Sequence, residues 1–182
     1  MHFHPDTVQS RVESPLGPVR LAASPAGLCG LWFEGQQHQP AQLDGPGAWP
    51  MSAAHPLLVA AADQLADWLA GKRHRFDLPL DLSGGTPFQQ AVWRALLDIG
   101  WGQTRSYGQV AQWVGAPAAV RAVGAAVGRN PISLVVPCHR VLGAAGALTG
   151  YAGGLERKRA LLEHEGALPA PRSDSAAMRL AA

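Results

Sequence analysis

Cysteine is scarce in this chain, whose 182 residues include only Cys29 and Cys138. Two cysteines are too few for a disulfide framework and cannot form a four-cysteine zinc site, so the composition indicates a reducing compartment. The sequence also lacks an apolar run near the roughly twenty residues that a membrane span needs, and it does not start with a secretory leader pattern. We therefore expect a cytoplasmic protein without a membrane partner.

Net charge is also low, at +2, but the charges are unevenly distributed. Residues 1–85 carry five Lys or Arg against eight Asp or Glu, whereas residues 86–166 carry eight against four. A polyanion such as DNA would prefer the second segment. Because an imbalance of this size also occurs on ordinary solvated surfaces, it favours a nucleic-acid partner without establishing one.

The first segment has the pattern of a small α/β domain. Short apolar runs separated by turn-forming Pro and Gly residues predict three antiparallel strands, at 7–14, 19–23 and 28–33. Apolar residues at helical spacing predict a helix over 56–70, and a weak alternation allows a further strand over 75–82. The Gly-rich stretch 83–85 then marks a boundary, so we expect a first domain at 1–85.

A helix predicted over 86–100 opens the second segment. Thr86 and Gln89 have the spacing of a capping box, and Pro87 suits the first helical position. We expect a second domain over 86–166 that begins with this helix. The Ala-, Pro- and Ser-rich remainder, 167–182, is predicted to be disordered.

Two shorter helices follow and predict a helix-turn-helix. A second capping box, Ser106 with Gln109, begins a helix that Gly115 ends, and Pro117 begins another that runs to Gly128. Two short helices joined by a Gly-containing turn are typical of this motif.

The second of these helices would meet DNA, yet its side chains are small almost throughout, with Arg121 near the middle. A helix that reads base edges would carry several Asn, Gln, Arg or Lys residues on one face. This one is better suited to contact with sugar and phosphate, and Arg121 could enter the duplex. The alternative is an Ala-rich core helix in which Gly124 and Gly128 allow tight packing, and the residues alone leave both interpretations open.

The pattern around Cys138 indicates a nucleophilic cysteine. The apolar residues 132–136 predict a short buried strand that ends at Pro137, so Cys138 would lie where the strand meets a loop. His139 could relay a proton, and Arg140 could hold positive charge near a thiolate. The alternative, a cysteine that simply packs in a core, fits Cys29 better.

A Gly-rich loop and a last helix complete the second segment. The loop, 141–154, has no phosphate-binding glycine spacing, but Tyr151 could form one wall for a flat ligand. The helix is predicted from Leu155, with Lys158 and its basic neighbours on the side facing water. A glutamate near a helix C-terminus is disfavoured by the helix dipole, which suggests another function for Glu165.

Several motifs in the same order resemble one family. They are Arg121-Ala122-Val123-Gly124, Asn130-Pro131, Pro137-Cys138-His139-Arg140-Val141, Tyr151-Ala152-Gly153-Gly154 and His164-Glu165-Gly166. The chain is similar in these residues to the O6-alkylguanine-DNA alkyltransferases, also called methylated-DNA–protein-cysteine methyltransferases. The resemblance covers residues 86–166 closely and the first domain only in outline.

The resemblance implies an α/β N-terminal domain of the ribonuclease-H-like type and a mainly α-helical C-terminal domain with the helix-turn-helix. It implies a monomer that binds double-stranded DNA from the minor groove and flips an O6-alkylguanine out of the helix. The alkyl group, or that of O4-alkylthymine, then passes irreversibly to a cysteine in one turnover. No cofactor takes part.

The resemblance also implies roles for individual residues. Cys138 is the acceptor, and His139, linked to the thiol through water and supported by Glu165, takes the thiol proton. Asn130 holds the turn that carries the site, and Tyr107 assists departure of the guanine. The residues expected to contact DNA are Arg121, Ala122, Gly124 and Arg140. The residues expected to line the base pocket are Val141, Tyr151, Ala152 and Gly153.

One departure and two alternatives bear on this interpretation. Many relatives have serine where this chain has Ala152, so a hydroxyl contact to the base is missing and the substrate range is in doubt. A Cys–His acyltransferase or hydrolase would instead turn over repeatedly. A non-catalytic helix-turn-helix protein would sense alkylated DNA without using a thiol. We expect no metal site, because Cys29 with the few histidines near it is a poor zinc set.

Overall fold

The first half of the chain folds around an antiparallel sheet, in the order β1 (Val8–Val12), β2 (Val19–Ser24) and β3 (Gly27–Phe33). The computed structural model describes residues 1–168, so the predicted disordered segment 167–182 lies outside the described residues except for its first two. Every residue of β2 and β3 is buried. Both faces of these strands are therefore covered, which explains why their sequences are apolar without alternating.

Helix α1 (Pro56–Leu69) covers one face of the sheet, as its apolar spacing predicts. The loop that precedes it packs Leu43 and Trp49 against the other face, around Trp32. The strand predicted over 75–82 is wrong. Only Leu80 forms an isolated bridge to β3, because Pro79 has no N–H to continue a ladder.

The second half is built from four helices and a short parallel sheet. The helices are α2 (Pro87–Leu96), α3 (Tyr107–Trp113), α4 (Val120–Gly128) and α5 (Leu155–His164), and the strands are β4 (Arg105–Ser106) and β5 (Val141–Leu142). Both predicted capping boxes are confirmed. Helix α2 ends earlier than predicted, at Leu96. Helix α4 begins three residues later than predicted, because residues 116–119 form a separate turn.

The helix-turn-helix of α3 and α4 packs on α2, and the indole of Trp93 in α2 donates a hydrogen bond to the carbonyl of Ala126 in α4 at 2.8 Å. The side of α4 that faces this core is apolar, through Val123, Ala126 and Val127. None of the helices formed by residues 1–168 is both long enough and apolar enough to cross a membrane.

The strand predicted over 132–136 is also wrong, because this segment is a turn. Ile132 alone bridges to Leu31 of β3, through hydrogen bonds from Leu31 N to Pro131 O and from Ser133 N to Leu31 O, both 2.9 Å. Leu134 then adopts a left-handed φ of 70°, which ends the extended chain. The turn nevertheless joins the edge of the first sheet to the segment that carries Cys138.

Candidate active site

Cys138 begins a single 3₁₀ turn, Cys138–Arg140, and is only 4% exposed. The side chain of Asn130 fixes this turn from within. Its Nδ2 donates to the carbonyl of Val136 at 2.7 Å and lies 3.1 Å from the Cys138 sulfur, while its Oδ1 accepts from the N–H of Ile132 at 3.0 Å. Asn130 therefore bonds to the backbone of the turn and lies within hydrogen-bond distance of the thiol.

His139, Arg140 and Glu165 form a buried charged cluster next to the thiol. Nε2 of His139 lies 2.8 Å from Oε1 of Glu165, and neither side chain is exposed. Arg140 donates from Nε to Oε2 and from Nη2 to Oε1 of the same carboxylate, each at 2.8 Å. Burial alone would raise the pKa of Glu165, but the hydrogen bonds from His139 and Arg140 lower it to about 2. The carboxylate is thus charged and fully paired.

The expectation that Arg140 contacts DNA does not fit this geometry. The residue is only 6% exposed, and its remaining donor, Nη1, bonds to the carbonyl of Ile99 at 2.5 Å. Its guanidinium is directed into the protein because Glu165 needs a cation there. Arg140 orients Glu165 instead of reaching a phosphate.

The cluster favours one form of the His139 ring. Burial lowers the pKa of His139, against the opposing effect of Glu165, so the imidazole is neutral at neutral pH. A neutral ring that donates Nε2–H to the carboxylate has an acceptor lone pair on Nδ1. Nδ1 is buried and has no hydrogen-bond partner in the protein. His139 is therefore arranged to accept a proton through that nitrogen.

The thiol itself is not activated in the resting protein. Burial raises the pKa of Cys138, and the hydrogen bond from Asn130 and the charge of Lys158 offset this only in part. A thiol in this state reacts only when a nearby group removes its proton. The neutral His139, the next residue in the chain, is the candidate for such a group.

Lys158 also belongs to the site, and the prediction that it lies on the water-facing side of the last helix is wrong. It is fully buried, and its Nζ donates to the carbonyls of Val141, Thr149 and Gly150 at 2.5, 2.5 and 3.1 Å. Burial lowers the pKa of Lys158 to about 8, with an opposing effect of Cys138. Its spacing of three and four residues from buried Leu161 and Leu162 was the signal that could have placed it.

Lys158 and Tyr107 converge on the loop that carries the expected base pocket. The Tyr107 hydroxyl donates to the carbonyl of Gly150 at 3.5 Å, the same carbonyl that Lys158 reaches. A Cβ at Gly150 would lie 3.1 Å from this hydroxyl, and the φ of 50° is one that other residues rarely adopt, so both favour glycine here. Gly124, an expected DNA contact, lies beneath the Tyr107 ring. Gly124 therefore supports Tyr107 at the site.

Tyr151 lies on the same loop, and its hydroxyl is buried without a hydrogen-bond partner. Burial raises the pKa of Tyr107 and that of Tyr151, and the charge of a Cys138 thiolate raises both further. Both phenols are thus close to the thiol and remain protonated. Val141 is fully buried beside them, whereas Ala152 is half-buried.

Arg121 lies on the exposed face of α4, with Ala122 beside it. Within residues 1–168, no ion pair or side-chain hydrogen bond holds its guanidinium in place. One face of this helix packs in the core, as the core-helix interpretation predicts, and the other presents small side chains and one arginine to solvent, so contact with DNA through that face stays a prediction. Only the second face is available to a duplex.

No three His, Cys, Asp or Glu side chains within the described part of the chain are grouped so that they could hold a metal ion. Cys29 is buried in β3, and burial raises its pKa to about 12. The charge of Asp81 raises this pKa further, so Cys29 is a core residue whose surroundings disfavour the thiolate.

Two family models match the chain. Residues 8–82 match the ribonuclease-like domain of 6-O-methylguanine DNA methyltransferase, and residues 87–167 match its DNA-binding domain. Among named relatives, the methylated-DNA–protein-cysteine methyltransferase of Mycobacterium tuberculosis is 50% identical over 85% of this chain and 89% of its own length. That of Salmonella typhimurium is 44% identical over 88% and 96%.

Solved structures are similar as well. The crystal structure of Mycobacterium tuberculosis OGT in complex with DNA has a TM-score of 0.78 at 47% identity, covering 87% of this chain and 92% of that one. The crystal structure of the O6-methylguanine methyltransferase of the same organism has a TM-score of 0.77 at 47% identity, covering 91% of this chain and 96% of that one. The two-part fold of this chain, a sheet domain followed by a helical one, is the fold of these proteins.

Proposed function

This chain belongs to the methylated-DNA–protein-cysteine methyltransferases, enzymes of DNA repair, and from that premise we propose that Cys138 accepts the alkyl group of O6-alkylguanine in one irreversible turnover. One observation carries the proposal. Cys138 is followed by His139, a neutral histidine whose Nδ1 is buried and has no hydrogen-bond partner in the protein. That histidine is in turn held by a buried carboxylate, so nucleophile, base and orienting group follow in order.

The chemistry needs no further reagent. The Cys138 sulfur attacks the alkyl carbon, the bond between that carbon and O6 breaks, and a carbon–sulfur bond forms. The thiol proton passes to Nδ1 of His139, by way of a bridging water, and the resulting imidazolium is stabilised by Glu165. The electron pair of the broken bond stays on the guanine, which takes a proton from the Tyr107 hydroxyl as it departs. Tyr107 then regains a proton from solvent, and the imidazolium of His139 returns its proton to solvent. The thioether has no leaving group, so the protein reacts once.

Access to the thiol explains why the base must leave the duplex. At 4% exposure, Cys138 cannot meet a base that remains stacked. We place the minor groove against the exposed face of α4, whose small side chains permit close approach and whose Arg121 can fill the gap left by the flipped guanine. The flipped base then enters between Tyr107 and the loop 149–153. O4-alkylthymine is a smaller second substrate of the same pocket.

The proposal also covers the domain division, the oligomeric state and the location of the protein. We propose a division of the chain into domains at 1–85 and 86–166, action as a monomer on double-stranded DNA, and a cytoplasmic location. The proposed mechanism requires no cofactor, because attacking group, base and leaving-group partner are all side chains.

Intact-protein mass spectrometry after incubation with an O6-methylguanine duplex tests the function. We expect one added methyl group per molecule, located at Cys138, and no reaction in Cys138→Ala, while Cys29→Ala reacts like the unaltered chain. Product beyond one equivalent would instead indicate a Cys–His hydrolase. Binding to the lesion without any methylation would indicate a lesion sensor.

A further inference from the structure

Arg157, on the first turns of α5, joins parts of the molecule that are far apart in sequence. Its Nε donates to the carbonyl of Leu16, in the turn between β1 and β2, at 2.8 Å. Its Nη1 donates to the carbonyl of Gly153 at 3.0 Å. The guanidinium also lies over the ring of Phe33, the last residue of β3, at 4.9 Å from the ring centroid. One side chain thus links the first sheet to the loop beside the thiol.

A second contact binds the same loop to the first half of the chain. The backbone N–H of Gln37 donates to the carbonyl of Ala152 at 2.9 Å. The two successive carbonyls of Ala152 and Gly153 are therefore held by groups anchored in, or belonging to, the sheet domain. Both residues belong, with Tyr151, to the loop 149–153, against which the proposed function places the flipped base.

Packing around Gly153 leaves the loop little freedom. A Cβ added at this residue would lie 2.7 Å from Cε1 of Tyr151 and 3.4 Å from Cδ2 of Phe33. The Gly153 backbone thus lies between the ring of Tyr151 and the ring of Phe33, close to both. A displacement of the Gly153 carbonyl must therefore displace the aromatic wall of the pocket.

We propose that Arg157 is a positioning residue that sets the base pocket against the sheet domain, so that the first half of the chain controls how well a flipped base is oriented for attack. The proposal rests on the proposed function, because it needs the loop to receive the base. Arg157 does not touch the thiol, and its rigid guanidinium directs two separate donors, Nε and Nη1, at the two carbonyls, whereas a lysine would offer a single flexible Nζ. Its effect should appear in the reaction with DNA and not in the reactivity of Cys138.

Two probes of the same thiol separate these effects. The first is the single-turnover rate of methyl transfer from an O6-methylguanine duplex at saturating DNA, which needs the pocket. The second is the rate of Cys138 alkylation by iodoacetamide, which does not. Arg157→Met keeps an apolar stem over Phe33 and loses both hydrogen bonds, and Arg157→Lys keeps the charge but replaces the two fixed donors with a single Nζ. Arg159→Met removes an exposed cation of the same helix and is the matched control.

We expect Arg157→Met to transfer methyl roughly tenfold more slowly than Arg159→Met, Arg157→Lys to fall between them, and all variants to react equally with iodoacetamide. Equal methyl-transfer rates for Arg157→Met and Arg159→Met would overturn the inference. An equal loss of rate with the DNA probe and with iodoacetamide would also overturn it. So would an Arg157→Lys variant that folds less well but transfers methyl at the unaltered rate per folded molecule, since a purely structural role predicts both results. If the unaltered chain fails to methylate Cys138, it is the proposed function that fails.

Discussion

The two cysteines of this chain lie in different regions and are equally hidden, Cys29 being 3% exposed in β3 and Cys138 4% exposed on its 3₁₀ turn. Around Cys29 stand Trp32, Trp49 and Leu43, and burial raises its pKa to about 12. Burial also raises the pKa of Cys138, but Asn130, Lys158 and the neutral His139 surround that sulfur. The difference in expected reactivity comes from the polar groups nearby, because exposure is the same.

Burying charged groups costs free energy in the second region. Glu165, Arg140 and Lys158 are all buried, and each is held by hydrogen-bond partners because an unpaired buried charge is strongly unfavourable. The first sheet buries one comparable charge, Arg20, which bonds to Asp44 and Gln9. Three changes should break or sharpen the contrast between the two cysteines, the largest expected effect first.

The largest effect is expected for Glu165→Gln, which removes the charge that orients His139 and neutralises Arg140. An imidazolium formed at His139 would lose its counter-charge, so methyl transfer should slow roughly a hundredfold. Because Arg140 is left buried without a carboxylate, unfolding free energy should fall by about 3–5 kcal/mol. Duplex affinity should change little, since Glu165 is buried away from α4. Single-turnover rates, urea unfolding and DNA titration measure the three quantities.

Glu163→Gln is the control for this variant, because Glu163 is a nearby glutamate on α5 whose ion pair within residues 1–168 is with the exposed Arg159. The pH dependence gives a further check. The pKa of Glu165 is lowered from 4.5 to about 2 on folding, so its stabilisation is complete above pH 4.5 and is lost as the pH falls toward 2. The stability gap between Glu165→Gln and the unaltered chain should narrow over that window. A gap that stays constant would contradict the assignment.

The second largest effect is expected for Arg121→Ala, which tests how the base reaches the buried thiol of Cys138. If Arg121 fills the gap left by a flipped guanine, Arg121→Ala should react with an O6-methylguanine duplex roughly thirtyfold more slowly, corresponding to about 2 kcal/mol. Free O6-benzylguanine needs no flipping, so Cys138 should react with it at close to the unaltered rate. The two rate ratios, measured on the same preparation, decide the matter. Equal losses on both substrates would mean that Arg121 supports the fold or the thiol.

Local patterns predicted much of the fold and of this site, and distant contacts account for what they missed. The capping boxes at Thr86 and Ser106 could be predicted because both partners lie within three residues. The turn at 132–136 could not, since it depends on Leu31, a hundred residues earlier. The pairing of Arg140 with Glu165 likewise joins residues 25 positions apart. Basic residues on helices are usually exposed, so Lys158 was predicted to face water. Its spacing from Leu161 and Leu162 indicated instead that it faces the core.

The smallest of the three effects is expected for Lys158→Met, and it tests the electrostatic half of the contrast between the cysteines. The Lys158 charge lowers the pKa of Cys138, so its removal should shift the pH dependence of Cys138 alkylation by iodoacetamide to higher pH. A shift of about one pH unit would reduce the thiolate fraction, and with it the rate at neutral pH, roughly tenfold. Arg159→Met, which removes an exposed charge from the same helix, should leave the profile in place. Lys158 also holds the carbonyls of Thr149 and Gly150, and a displaced loop would slow transfer from DNA at every pH without moving the iodoacetamide profile. An unmoved profile would therefore assign Lys158 to the loop alone, and the thiol at Cys138 would then differ from that at Cys29 only through Asn130 and His139.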